Sequence, residues 1–178
     1  MHAATTPRPA ARRAARPQRE EAGFYQPENY RPEDSVGYLM RRLITTFAAE
    51  VGQELDPGGL TNAQWVPLYK LHLGHGSTAA ELARVCELDA GAMTRMLDRL
   101  EAKGLVRRVR SQQDRRVINL ELTDEGRQAA SRIPHALCKV MNAHLQGFSH
   151  DEVLLLKSML SRMLENGVAL QKNREESA

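Results

Sequence analysis

The sequence lacks the long apolar segments of membrane and secreted proteins. No apolar run approaches the ~20 residues that a membrane-spanning helix needs, so we expect a soluble protein without a membrane partner. No apolar signal-peptide core stands near the N-terminus, which argues against secretion. These two absences favour a cytoplasmic location.

Cysteine is scarce, and recognisable catalytic motifs are missing. Cys86 and Cys138 are too few for a disulfide framework or a thiolate metal site, which fits a reducing compartment. No nucleophile elbow, phosphate-binding loop or His-x-x-x-His pair occurs, and no third ligand accompanies any pair of histidines. We therefore expect no enzyme, no metal and no cofactor.

Positive charge is concentrated in two segments. Residues 1–20 contain five arginines against one glutamate, a net charge of +4. Residues 95–116 contain eight basic and three acidic residues, a net charge of +5. The formal charge of the whole chain is only +3, so the remainder carries about −6. This asymmetry indicates a patch that binds a polyanion on an otherwise acidic protein.

Apolar periodicity and capping residues predict six helices and two strands. Thr61, Asp89 and Thr123 have the residue types that cap helix starts, and Thr78 and Ser149 each stand three residues before a glutamate, as in a capping box. The predicted elements are helices over 35–55, 61 to about 72, 78–86, 89–103, 123–145 and 149 to about 170, with strands over 105–109 and 117–122.

Residues 89–123 predict a helix followed by a basic hairpin. Arg95 lies on the helix side opposite the apolar residues, and Gly104 stands where a positive φ commonly ends a helix. A basic helix beside a basic hairpin suits a DNA duplex, with the helix in a groove and the hairpin along it. The apolar residues of the helix are Met93, Met96, Leu97 and Leu100.

The order of elements predicts a mainly α fold with a small β wing. The third and fourth helices form a helix-turn-helix, and the hairpin makes it winged (α1-α2-α3-α4-β-β-α5-α6). The sixth helix is more apolar than a lone surface helix requires, so we expect burial against a second copy in a symmetric homodimer. The predicted domains are a disordered basic tail and extended arm (1–32), a helical dimerisation region (33–60 and 124–172) and a DNA-binding domain (61–123).

This pattern resembles the MarR family of bacterial transcriptional regulators over about residues 33–170. The resemblance implies a homodimer that represses nearby genes and is released by a small aromatic acid, bound between the dimer region and the winged domain. It also implies that Arg116 enters the minor groove, that Asp114 orients the wing, and that Thr94 and Arg95 enter the major groove. The matching residues are Thr94-Arg95, Leu97, Arg99-Leu100-Glu101, Gly104-Leu105-Val106, and Asp114, Arg116, Leu120, Leu122 and Thr123 of the pattern Asp-x-Arg-x-x-x-Leu-x-Leu-Thr.

Eight residues are candidates for contact with double-stranded DNA. Arginine in a turn or on an outer helix face can reach phosphates and base edges, and a glycine permits close approach. Some have simpler roles: Thr78 as a helix cap, Arg95 in a pair with Asp98 or Glu101, and Arg99 in a local bond. One of Arg107 and Arg108 is expected to support the fold. The candidates are Thr78, Gly91, Thr94, Arg95, Arg99, Arg110, Arg115 and Arg116.

Six residues of the first two helices are candidates for binding an aromatic carboxylate. Such a ligand needs an apolar slot, stacking rings and a cation. The alternatives are that Ser35 caps a helix, that Trp65 is core, and that Arg41 or Arg42 is a surface or dimer ion pair. The candidates are Ser35, Tyr38, Arg41, Arg42, Trp65 and His72.

The sequence therefore predicts a homodimeric winged helix-turn-helix repressor that leaves a palindromic operator when an aromatic carboxylate binds. Two alternatives stay open. One is a repressor that senses oxidation through Cys86 or Cys138, and the other is a winged-helix module that binds proteins without specific DNA binding.

Overall fold

The computed structural model describes residues 23–55 and 59–177, so the basic tail predicted over 1–20 lies outside it. The described residues form six helices and one antiparallel strand pair, in the predicted order. The helices are α1 (Val36–Leu55), α2 (Asn62–His72), α3 (Ala79–Val85), α4 (Ala90–Ala102), α5 (Asp124–His144) and α6 (His150–Glu176), and the strands are β1 (Val106–Arg110) and β2 (Ile118–Leu122).

The described residues divide into two compact units, the first ending at Leu39 and the second beginning at Met40. In the described part of the first unit, two 3-10 turns, Pro27–Asn29 and Pro32–Asp34, interrupt the predicted arm. The Tyr25 hydroxyl accepts a hydrogen bond from the backbone N–H of Val36 at 2.9 Å, which satisfies a free donor at the start of α1. The ring of Tyr30 meets that of Tyr25 edge-on, with centroids 5.7 Å apart.

The predicted capping residues stand at the helix starts of the second unit. Each of four side chains accepts a hydrogen bond from the backbone N–H three residues later, which satisfies one of the unpaired donors of a first turn. These bonds join Thr78 to Glu81 (3.2 Å), Asp89 to Ala92 (2.8 Å), Thr123 to Gly126 (2.9 Å) and Ser149 to Glu152 (3.3 Å).

The core of the second unit fixes which face of α4 points outward. Met93, Leu97 and Leu100 are buried, and Met96 is half-buried, as the helical spacing predicted. They join a core that includes Leu68 of α2, together with Leu82 of α3, Ile133 of α5 and the buried residues of the strands. The opposite face of α4 is consequently left to solvent.

The two strands form a hairpin in which Val106 pairs with Leu122 and Arg110 with Ile118. Leu120 and Leu122 are buried, whereas Ile118 near the tip is exposed, so the buried face covers only the base of the hairpin. The backbone N–H of Leu120 also donates to the carbonyl of Ser77 at 2.7 Å, which joins β2 to the segment before α3.

The base of the wing is fixed to the end of α4. Gly104 has a φ of +69°, as predicted, and ends the helix. Its carbonyl accepts a hydrogen bond from the Thr123 hydroxyl at 2.6 Å, and the carbonyl of Leu105 accepts one from the Thr123 N–H at 3.1 Å. Gly126 packs against that Leu105 carbonyl so closely that a Cβ would collide with it. The start of α5 and the end of α4 therefore hold the wing between them.

The last helix is longer than predicted and carries a large exposed apolar surface. It continues to Glu176 rather than ending at about residue 170, because its polar end consists of good helix formers and Lys172 pairs with Glu176 at 3.9 Å. No helix in the described residues is long and apolar enough to cross a membrane. The exposed apolar residues of α6 are Leu154, Leu155, Leu156, Met159, Leu160, Met163, Leu164, Val168 and Leu170.

Candidate nucleic-acid interface

The exposed face of α4 presents Thr94 and Arg95 to solvent. The Thr94 hydroxyl donates to the carbonyl of Ala90 at 2.8 Å. Gly91 is one turn before Arg95, and a Cβ at that position would lie 3.5 Å from the Arg95 guanidinium. That is an ordinary contact distance, and the absence of a Cβ lets another molecule approach the helix start more closely.

The tip of the wing is held in a compact turn by its own side chains. The Ser111 hydroxyl accepts hydrogen bonds from the N–H groups of Gln113 and Asp114, at 3.2 and 3.3 Å. The Asp114 carboxylate accepts one from the N–H of Arg116 at 2.9 Å. Asp114 therefore orders the turn through a hydrogen bond, and the Arg115 and Arg116 side chains are exposed around it.

The arginines of this region fall into a paired and an unpaired group. Arg107 forms an ion pair with Glu121 across the hairpin at 2.6 Å. Arg108 pairs with Asp98 of α4 at 2.7 Å, and also with Glu101. The alternative to DNA contact for Arg95 was a pair with Asp98 or Glu101, but both carboxylates bind Arg108 instead. Between residues 95 and 116, the arginines that form no ion pair with a described residue are Arg95, Arg99, Arg110, Arg115 and Arg116.

Thr78 is occupied at the start of α3. Its hydroxyl accepts from the N–H of Glu81, and its own N–H donates to the Glu81 carboxylate at 3.2 Å. Hydrogen bonds from Ser77, and then from Thr78, lower the pKa of Glu81, so a carboxylate stands at this helix start. A phosphate would have to compete with it, and the capping role accounts for Thr78.

The candidate ligand residues of α2 have contacts of their own. Trp65 is half-buried against the core and donates its indole N–H to the Asn62 side chain at 3.1 Å. His72 is exposed and stacks on Tyr69, with ring centroids 6.2 Å apart. Both contacts are consistent with a packing role.

The candidates on α1 belong to both compact units. Ser35 is buried in the first unit, donates its hydroxyl to the Pro32 carbonyl at 2.7 Å and accepts from the Tyr38 N–H at 3.2 Å, so it caps α1. Tyr38 is half-buried in the same unit, and Arg41 and Arg42 are exposed in the second.

Two adjoining cavities in the second unit involve residues that sequence reasoning missed. They have volumes of about 290 and 340 Å³, and the Glu54–Lys139 ion pair (2.7 Å) belongs to both. Basic residues at positions 132, 135 and 139 have the i, i+3, i+7 spacing of one helix face, which was the available signal. The smaller cavity is lined by Glu54, Leu55, Leu60, Ala129, Arg132, His135, Ala136 and Lys139, and the larger by Thr46, Glu50, Glu54, Lys139, Val140, Ala143 and His144.

The two cysteines differ in environment. Cys86 ends α3 and is half-buried, and burial raises the pKa of its thiol, an effect that Lys70 partly opposes. Cys138 is exposed on α5. Within the described residues, no group of three or more His, Cys, Asp or Glu side chains could hold a metal ion.

Comparison with known proteins identifies relatives of the winged unit and of the whole helical fold. Residues 60–118 match the model of the MarR family. The reduced form of MarR from E. coli is 30% identical, with a TM-score of 0.65 over 73% of this chain and 96% of that one. A cysteine-to-serine mutant of MarR from E. coli, complexed with operator DNA, is 28% identical, with a TM-score of 0.66 over 72% and 93%.

A second regulator bound to DNA is similar to the same extent. The transcriptional repressor CouR, bound to a 23-mer DNA duplex, is 28% identical, with a TM-score of 0.66 over 74% of this chain and 94% of that one. These relatives share the winged helix-turn-helix and the flanking helices described above. The chain belongs to the MarR family of transcriptional regulators.

Proposed function

We propose that this protein is a homodimeric repressor that binds a palindromic operator and leaves it when a small aromatic carboxylate binds. The observation that carries the DNA-binding part is the division of the arginines. Arg107 and Arg108 are neutralised by carboxylates, whereas five exposed arginines on α4 and the wing have no ion pair among the described residues. Their positive charge is available to a polyanion.

In the proposed complex, α4 enters the major groove and the wing follows the backbone. Arg95 reads a base edge, for which arginine is the commonest specific reader, and Thr94 contacts DNA beside it. Arg116 and Arg115 at the wing tip contact the minor groove or its phosphates, and Arg110 a phosphate. The DNA complexes of the MarR mutant and of CouR support this arrangement by similarity of fold.

The proposed homodimer rests on the apolar surface of α6. A monomer seldom exposes a large contiguous apolar patch, and the exposed leucines, methionines and valine of α6 recur along a helix of 27 residues. A symmetric dimer would bury this surface and present two copies of α4 to two half-sites about one duplex turn apart.

The proposed effector is a planar aromatic acid, such as a hydroxybenzoate, a hydroxycinnamate or an indole or nicotinate-like acid. Its binding would favour dimers whose recognition helices no longer match the half-site spacing. In the second unit, Arg41, Arg42, Trp65 and His72 supply the ring and cation chemistry. The cavity beside Arg132, His135 and Lys139 is a second place with basic side chains and apolar walls.

Footprinting on the DNA beside its own gene tests the proposed function. The full chain is expected to protect one palindromic segment, and an aromatic acid that raises its thermal stability should remove the protection. Protection without a discrete boundary would contradict the specific DNA binding. Stabilising acids that leave the footprint intact would contradict the proposed release.

A further inference from the structure

We propose that Arg108 is a positioning residue for DNA recognition, which fastens the wing to the recognition helix α4. The proposal rests on the sequence-specific DNA binding proposed above. The sequence indicated only that one of Arg107 and Arg108 supports the fold, and the ion pairs of Arg108 with α4 give it a role that a free surface cation would not have.

Three hydrogen bonds run from Arg108 on β1 to two carboxylates on α4. One guanidinium nitrogen, Nη2, donates to Asp98 Oδ1 at 2.7 Å, and the other, Nη1, donates to Glu101 Oε2. The backbone N–H of Arg108 donates to Glu101 Oε1 at 3.2 Å. The strand and the helix are thus joined through both the side chain and the main chain of one residue.

The side chain of Arg108 is more shielded from solvent than that of Arg107, which is 65% exposed. The Arg108 side chain is 31% exposed, and those of Asp98 and Glu101 are 57% and 38% exposed. The hydrogen bond to Asp98 raises the pKa of Arg108, with burial opposing and Glu101 adding to the effect, so the guanidinium stays charged. The planar guanidinium can satisfy two carboxylates at once, which a lysine cannot do in the same geometry.

The neighbouring arginine provides the internal contrast. Arg107 points to the other face of the strand and pairs with Glu121, which lies directly opposite on β2. That pair stabilises the hairpin itself but makes no link to α4. Of these two arginines, only Arg108 links the wing to the recognition helix, and it adds to the bonds that Thr123 makes at the base of the wing.

This link matters because the residues proposed to contact DNA lie on both of the elements that it joins. Arg95 lies on α4, and Arg115 and Arg116 lie at the wing tip. A wing that is already oriented loses less conformational freedom on binding than a loose one. Asp98 and Glu101 are negative charges beside a DNA-binding surface and on electrostatic grounds alone would weaken binding. Loss of the link to Arg108 should lower the affinity for DNA, whereas loss of a negative charge should raise it, so the two effects can be told apart by measurement.

The test compares Asp98→Ala with Glu121→Ala in the full chain. Each variant removes one negative charge and one arginine partner, but only Asp98→Ala weakens the link to α4, because Arg108 then keeps Glu101 as its single partner on that helix. The probes are the highest-affinity duplex that the wild-type protein enriches from a random DNA pool and a scrambled duplex of the same composition. Thermal unfolding of each variant verifies the fold.

We expect Asp98→Ala to lose about fivefold in affinity for the enriched duplex while its affinity for the scrambled duplex stays equal or rises. Glu121→Ala should change both affinities alike. If Asp98→Ala binds both duplexes more tightly, as charge alone predicts, the positioning role is overturned. If the wild-type protein enriches no duplex, the sequence-specific function fails, and the positioning role fails with it.

Arg108→Met distinguishes positioning from direct contact with a phosphate. The methionine keeps much of the apolar stem but loses the guanidinium. We expect a loss of affinity for the enriched duplex with an unchanged dependence of log K on log salt concentration. A slope smaller by about 1 would make Arg108 a phosphate contact and overturn the proposal.

Discussion

Lys103 Nζ lies 2.7 Å from Gln64 Oε1 and joins the end of α4 to the start of α2. Gln64 is buried, and its side-chain oxygen also accepts from the Thr61 N–H at 3.2 Å. Lys103 donates in addition to the carbonyl of Gly59 at 2.6 Å. One surface lysine therefore binds two acceptors, the Gln64 side chain and the Gly59 carbonyl, beside the end of the recognition helix.

Replacing Lys103 should weaken the contact between the end of α4 and the start of α2. Lys103→Met removes a charge-assisted donor from a buried acceptor and should lower the free energy of unfolding by about 1–2 kcal/mol. Denaturant unfolding measures it. Arg99→Met removes a charge from the same helix without breaking an ion pair and should stay within about 0.5 kcal/mol of wild type. Equal effects of the two variants would mean that the contact contributes nothing.

Gly126 should tolerate no side chain. A Cβ there collides with the Leu105 carbonyl, a backbone atom that cannot turn aside, so Gly126→Ala should destabilise the fold by about 2 kcal/mol or more. Gly52→Ala is the control, because its Cβ would meet only Asn62 Cβ at 3.7 Å and should stabilise α1 by about 0.4–1 kcal/mol. Thermal unfolding compares them, and a stable Gly126→Ala variant would contradict the close approach of α5.

The capping box of α3 should make the free energy of unfolding depend on pH. The pKa of Glu81 is lowered by its bonds to Ser77 and Thr78, so its contribution is present above the ordinary value of 4.5 and is lost as the pH falls below it. Glu81→Gln should therefore be less stable than wild type at neutral pH, and the difference should shrink in acid. Unfolding titrations at several pH values measure this, and a difference that grows in acid would contradict the account.

Cys86 should react slowly as a thiol at neutral pH. Burial raises its pKa, so less thiolate is present than at an ordinary cysteine, and access is limited. Mass spectrometry after iodoacetamide treatment should find Cys138 modified before Cys86. Peroxide should leave DNA affinity unchanged. If peroxide releases DNA and a variant with both cysteines changed to serine is resistant, the protein is a thiol sensor.

Local signals could be predicted from the sequence, and contacts between distant segments could not. Thr78, Asp89 and Thr123 cap helices through bonds to residues three positions later, so their spacing was enough. The fates of Arg107 and Arg108 depended on the register of the hairpin and on its approach to α4. Strand alternation indicated only that they face opposite ways.

The sequence likewise did not reveal what surrounds the candidate ligand-binding residues. Residue type alone marks Trp65 and His72 as candidates, and each contacts a neighbour on α2, Asn62 and Tyr69, in a way that serves packing equally well. The cavities lie instead along α5, where basic residues at helical spacing gave a weaker signal than aromatic rings.

The central claim is that α4 reads sequence while the wing tip supplies sequence-independent attraction. The most direct measurement is the affinity of wild type, Arg95→Ala and Arg116→Ala for an enriched and a scrambled duplex at several salt concentrations, with Arg107→Ala as control because its partner is Glu121. Arg95→Ala should lose about 1–3 kcal/mol of discrimination, while Arg116→Ala should weaken both duplexes and lower the salt slope by about 1. If Arg95→Ala and Arg116→Ala both keep the affinity, the discrimination between duplexes and the salt slope of the wild type, the central claim is contradicted.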